Sequence, residues 1–425
     1  MTDRITAPAI VEAVDIDLKL LPVDKFKLRN SVQLYYLKAV ADEVVNIEWV
    51  FNAGNLYETK EDVSLAMCNL IKSGTSTMNA FELTEKIEYY GAFFHAAYGH
   101  EVVTLTLSCL SRHLNKLLPI IREIITDSVF KEEEVEIYKQ NSLQSLAVNQ
   151  EKCDYVANNL VQEMVFGPHH PYARSQTESN IKALTRNDIL SFFKKYVASG
   201  YCRIFAAGKL PADFLGQMDS LFGDLSFNAE FQVPSILVNV TSEKKISRII
   251  DDNGVQGSVR LGRLFPGYNH PDYKKVIVLN TLFGGYFGSR LMNNIREDKG
   301  YTYGISSYVQ SYRDAGAWFI STEAGREVCG PTVVEVYKEM EDLCNEVVSP
   351  EELSLVKNYI IGIYLSQIDG PFKIMDRWKS LILKGFSEDF FYESIFSIKH
   401  ITSEEVQLLA QKYFVANDFK EVVVI

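Results

Sequence analysis

The chain has 425 residues, 47% of them hydrophobic and 23% charged, with 43 Lys and Arg against 55 Asp and Glu for a net charge of −12. This is the composition of a soluble globular protein long enough for two domains, each with its own core. The acidic balance argues against nucleic acid and anionic membrane surfaces as partners, and no apolar run approaches a membrane span. Met1-Thr2-Asp3-Arg4 lacks the apolar stretch of a signal peptide, so a cytoplasmic location is expected, or a periplasmic or exported one if a leader has been removed.

In chain order, the first clear signal is the alternation of Val103, Leu105, Leu107 and Cys109 with Thr104, Thr106 and Ser108, which predicts a half-buried strand. Lys131-Glu132-Glu133-Glu134 reads as a solvated helix start, and the aromatic run Tyr89-Tyr90-Gly91-Ala92-Phe93-Phe94 as core. Ile181-Lys182-Ala183-Leu184-Thr185-Arg186-Asn187-Asp188-Ile189 then introduces a capped helix, with Thr followed three residues later by an acid. A β-rich segment, Tyr201–Ala207, follows. Pro211 and Pro234 mark a connector over Leu210–Pro234. Ile277–Phe283 predicts a helix end closed by Gly284-Gly285, and Leu291 and Ile295 lie on a helix that stops at Gly300. Ser349-Pro350-Glu351-Glu352 opens another helix.

The pattern around Thr185 recurs at Ile398-Lys399-His400-Ile401-Thr402-Ser403-Glu404-Glu405-Val406, with Thr402 standing 217 positions after Thr185. Lys412-Tyr413 and Glu421–Ile425 repeat Lys195-Tyr196 and the strand after it. Identities, cap and order recurring at half the chain length imply an internal duplication. The fold class is therefore α+β: two homologous domains, 1–217 and 230–425, each an antiparallel-rich sheet packed with helices.

The six cysteines are scattered without a C-x-x-C pair and read as buried reduced thiols. The seven histidines read as structural: His95 and His100 fall in a strand-like segment, and His169 and His170 precede Pro171 in a turn.

The second half contains Phe283-Gly284-Gly285-Tyr286-Phe287-Gly288-Ser289-Arg290-Leu291, then Ile295-Arg296-Glu297-Asp298-Lys299-Gly300-Tyr301-Thr302-Tyr303-Gly304. Together with Ala53-Gly54, Glu58, Ser73-Gly74-Thr75, Tyr90-Gly91 and His170-Pro171-Tyr172, these stretches make the chain resemble the insulinase/pitrilysin zinc peptidases, the inverzincins. In that family the first domain carries H-x-x-E-H on a helix and a distant Glu. Two histidines four apart on one helix face reach one zinc ion, and the intervening Glu takes a proton from the metal-bound water.

Placed by Gly74-Thr75, the corresponding segment here is Leu65-Ala66-Met67-Cys68-Asn69, with Ser145 at the third ligand position. Leu65, Cys68, Asn69 and Ser145 leave no metal site, so no cofactor is expected in this chain. What persists is Arg296 and Tyr303, an Arg/Tyr pair which in the family acts at the zinc site from the second domain. A guanidinium can bind a substrate carbonyl or carboxylate, and a phenol can donate to an oxyanion. Gly284 and Gly285 would border the substrate chamber or serve as close-packing residues. Family members also work as two separate chains. The resemblance implies a zinc-free subunit whose partner is a homologous chain bearing H-x-x-E-H and Zn, acting on unfolded peptides. The alternative is a catalytically inactive scaffold or peptide-binding homodimer. An independent enzyme using Cys68 as nucleophile is disfavoured by its apolar helical setting.

Overall fold

The computed structural model describes residues 11–40, 43–313 and 315–425; Met1–Arg4 lie outside the described residues. Two sheets carry the fold. The first contains β1 (Asp24–Lys27), β2 (Gln33–Lys38), β3 (Val44–Phe51), β4 (Phe93–Ala97), β5 (Val103–Leu110) and β6 (Cys202–Gly208), in the order β1-β2-β6-β3-β5-β4. The second contains β7 (Lys245–Arg248), β8 (Gln256–Phe265), β9 (Thr302–Ser311), β10 (Gly316–Gly325) and β11 (Lys420–Val424), in the order β7-β11-β8-β10-β9.

Without β1, the two orders are the same. Each sheet holds one parallel pair, β2 with β6 and β7 with β11, and its other pairs are antiparallel. The repeated capping signal forms both boxes. Thr185 and Asp188 cap the helix Arg186–Phe193, and Thr402 and Glu405 cap Ser403–Tyr413. In each case the side-chain oxygen satisfies an orphan N–H of the first turn while the acid reaches back to the cap N–H.

Each half also hands a helix to the other. With α1 (Val63–Leu70) and α2 (Glu132–Gln150) kept in the first half, α3 (Cys153–Phe166) crosses over and packs on β8 and β11. There Val161 and Phe166 bury against Phe319, Val422 and Val424. In return α6 (Pro371–Lys384) lies on β6 and β2, where Met375 meets Val50, Phe205 and Ala207. The exchanged helices are themselves repeat equivalents, since their bounds differ by the offset of the capping boxes to within one residue. β6 is consequently buried on both faces: Ile204 and Ala206 enter the first core, while Phe205 and Ala207 face α6.

The halves are not contiguous blocks. A division at residue 217 falls inside α4 (Phe214–Phe222), whose Phe214, Met218 and Phe222 are buried in the first core, which runs on to Phe227. Leu18 and Leu20 are buried in the second core, although they precede every strand of the first sheet. The reason is the reciprocal packing: local pattern marks an apolar face but not which sheet covers it. The aromatic run at 89–94 is also split. Phe94 is buried, whereas Tyr89 and Phe93 are 81% and 75% exposed beside the free edge of β4.

Candidate functional site

The helix that matches the metal-binding segment is α1. Leu65 and Asn69, four apart on one face, line an open cleft of about 470 Å³ together with Ser145 of α2. The fold thus gathers three of the four degenerate positions at one place. Cys68 is buried in the first core, 7% exposed. Burial, reinforced by the nearby Glu58, pushes its thiol up to about 12, so it stays protonated at neutral pH. The Asn69 amide donates back to the Leu65 carbonyl at 2.9 Å. A leucine, an amide turned to its own helix, a hydroxyl and a neutral thiol do not fit zinc.

Beside this cleft lies a group of acids whose burial the sequence does not betray. The Glu58 side chain is 1% exposed, and its Oε1 accepts a hydrogen bond from the Ser64 N–H at 2.7 Å. Arg174 stands 3.8 Å from Glu58, beyond hydrogen-bond reach, and 3.3 Å from Glu61. Burial therefore outweighs the guanidinium and drives Glu58 up to about 8. Asp62, the left-handed residue at φ 68° that introduces α1, is raised to about 6 by burial and by Glu61. Acids ahead of a helix read as ordinary first-turn residues, so spacing gave no sign of this.

The histidines are packing residues in this region. His100 is bonded to the Asn55 amide oxygen and set edge-on to Tyr172 and Tyr312, and burial drives it down to about 4. Tyr172 of the first half stacks on Tyr312 of the second at 3.9 Å between centroids, which ties the seam together.

In the second half, α5 (Tyr273–Asn280) continues through a π-type turn over Thr281–Gly285. Neither Gly284 nor Gly285 takes a positive φ, so the helix is not closed by a left-handed glycine cap. Gly284 is buried, and a Cβ there would lie 2.6 Å from the Ser307 Cβ. It is a close-packing residue that seats the turn on β9, whereas Gly285 is exposed.

Arg296 lies in the π-type helical segment Met292–Asp298 and Tyr303 is the second residue of β9, after the turn at Gly300. The connection brings both to one surface. The Arg296 guanidinium sits 5.7 Å from the Tyr303 ring centroid and 4.5 Å from that of Phe287, and it pairs with Glu297. Tyr303 is 92% exposed, whereas Tyr301 packs against the second core. Phe287, 67% exposed, completes a guanidinium–aromatic patch that the spacing of Arg296 and Tyr303 alone does not include.

The molecule is a duplicated α+β fold whose two sheets share one strand order. The chain belongs to the insulinase family: residues 36–175 match Insulinase (Peptidase family M16), and residues 183–360 match the Peptidase M16 inactive domain. It is similar to the uncharacterized zinc protease YmxG of Bacillus subtilis, 23% identical over 92% of this chain and 96% of that one. It is also similar to the mitochondrial-processing peptidase subunit beta of Bos taurus, 26% identical over 77% of this chain and 69% of that one. Among solved structures, a peptidase M16 inactive domain from Pseudomonas fluorescens superposes with a TM-score of 0.82 at 19% identity, covering 95% and 98% of the two chains. A protease from Helicobacter pylori gives 0.85 at 14%, covering 96% and 100%. At these identities the superpositions bear on fold alone.

Proposed function

We propose that this chain is the zinc-free subunit of a two-chain peptidase, paired with a homologous chain that carries H-x-x-E-H. The observation that carries this reading is the Arg296 guanidinium set 5.7 Å from the exposed Tyr303 ring, in a chain whose own metal positions hold no ligand set. In this reading Arg296 binds a carbonyl or carboxylate of an unfolded peptide, and the Tyr303 hydroxyl donates to the oxyanion formed as the scissile carbonyl is attacked. Both act on substrate held at the partner's site, so neither needs a metal ligand in this chain. The substrate adds as a strand to a sheet edge and is read mainly through its backbone.

The test is reconstitution with the co-purifying H-x-x-E-H chain. Arg296→Ala and Tyr303→Phe are expected to lower kcat by about 10²–10³-fold while the complex elutes unchanged. Wild-type turnover in both variants overturns the roles, and recovery of no such partner from native cells overturns the pairing. A second reading, an inactive peptide-binding homodimer, draws on Tyr89 and Phe93 exposed beside the free edge of β4. It requires self-association and peptide binding that Phe93→Ser abolishes.

A further inference from the structure

Between α6 and the ends of β3 and β6 lies a cavity of about 310 Å³ that both halves and their connector line. Its floor is Arg203, on the face of β6 that Phe205 and Ala207 turn toward α6. Arg203 is 9% exposed. Among the described residues its guanidinium has one acceptor, the Asn52 Oδ1, 3.2 Å from Nη2, and its Nε is buried with no acceptor. The rings of Tyr201 and Phe231 flank it at 5.3 and 5.8 Å. Burial pushes its pKa down, and the neighbours that chiefly oppose this are Tyr201, Tyr35, Cys202 and Tyr57. A guanidinium stays charged in proteins, and a buried charge with neither counter-ion nor full hydrogen bonding is costly.

The duplication supplies an internal control. Lys420 occupies the repeat position of Arg203, at the same offset of 217 as the capping boxes, and is also buried. Its ammonium donates to the carbonyls of Thr241 and Glu243, so in the second half the chain itself covers the cation. Arg263, beside it, is paired with Asp418 at 3.1 Å. A smaller cavity of about 230 Å³ adjoins Lys420 and Arg263, but there both cations already have acceptors, whereas among the described residues Arg203 has one.

The rest of the lining has the same sign. Lys384 and Arg313 stand at the rim, and Lys379 is held by Glu48 and Asp376. Glu101 is the one carboxylate of the lining, and its Oε1 already accepts from the Tyr172 hydroxyl and the Arg313 N–H. Val102, Val233 and Leu383 make the remaining wall apolar.

We propose that this cavity binds a small organic oxyanion, a carboxylate or phosphate carried on an apolar or aromatic body, with Arg203 as its anchor. The anion supplies the acceptors that Arg203 lacks, its body fills the apolar wall, and its position bridges both halves and the connector. Arg296 and Tyr303 are not part of this lining, so the site is separate from the proposed catalytic pair.

The experiment is calorimetric titration of the full chain with phenyl phosphate, benzoate and, as an uncharged control, benzyl alcohol. At least one anion is expected to bind saturably with a Kd on the order of 0.1–1 mM, and which of the two binds tighter assigns the class. Arg203→Gln and Lys384→Ala are each expected to weaken that binding about tenfold. Should Arg203→Gln fail to fold, Lys384→Ala on the exposed rim decides. No anion binding, equal binding of benzyl alcohol, or wild-type affinity in the folded variants overturns the site.

Discussion

The two halves repeat one strand order and finish it with different chemistry. In the second half, Lys420 is covered by two carbonyls, and Asp272, just before α5, accepts from Lys412 at 2.6 Å and from the Tyr413 hydroxyl at 2.7 Å, while Arg377 keeps a buried Nε and Nη2 without an acceptor among the described residues. Against its partial burial, these bonds hold Asp272 below the ordinary carboxylate value. In the first half, the acids before α1 are buried with weak partners and shifted upward, and Arg203 faces a cavity. Buried polar atoms without a partner occur in both halves, at Asp62 and Arg203 in the first and at Arg377 in the second. The second half presents Tyr303 on the surface, with the half-buried Arg296 beside it. A duplicated scaffold holds its strand order because both copies bury the same faces, and the buried charges are free to diverge as long as something answers them.

That contrast can be broken at several points. The largest expected effect is at the exchanged helix: Phe166→Ala removes a fully buried ring and should cost about 3–5 kcal/mol in urea unfolding. Because α3 belongs by sequence to one half and by packing to the other, both halves should unfold in one transition; two separate transitions would show that the exchange does not couple them. Next is the pH dependence set by Glu58. Its folded value of about 8 lies above the unfolded carboxylate value, so its contribution is full at acid pH. It is lost between about pH 4.3 and 8, at up to about 1.4 kcal/mol per pH unit. Glu58→Gln should remove that decline, and superimposable profiles for variant and wild type would refute it.

Smaller effects sharpen the comparison between Arg203 and Lys420. Lys420→Met strands two carbonyls and should cost about 1–3 kcal/mol, whereas Arg203→Met in the ligand-free chain should lie within about 1 kcal/mol of wild type or gain stability. Equal losses at both sites would show that Arg203 is satisfied in a way its contacts do not reveal. The two capping boxes, alike in both halves, should behave alike: Thr185→Ala and Thr402→Ala each cost about 1 kcal/mol by thermal or chemical denaturation. The smallest change is expected at Tyr303→Phe, where a side chain 92% exposed should alter stability by less than about 0.5 kcal/mol, so any loss of turnover reports on chemistry.

The sequence by itself determined what local pattern can encode. The Thr-x-x-acid signals at Thr185 and Thr402 predicted two equivalent helix starts, the alternation at 103–109 a strand, and the recurrence of the capping pattern with the β-rich segment after it a duplicated α+β fold. The positions of Leu65, Asn69 and Ser145, and the pairing of Arg296 with Tyr303, followed from the family resemblance, and the fold gathers each set at one surface. Tertiary structure alone decided which sheet each helix covers. An apolar stripe on Cys153–Phe166 or Pro371–Lys384 states that a face must be buried, and every candidate sheet offers the same apolar surface. It alone decided that Glu58 is buried, that Gly284 is a packing residue, and that Lys420 finds two carbonyl acceptors while Arg203 finds one amide oxygen. Burial and charge compensation depend on residues far apart in the chain, and no spacing rule within either segment records which of them converge.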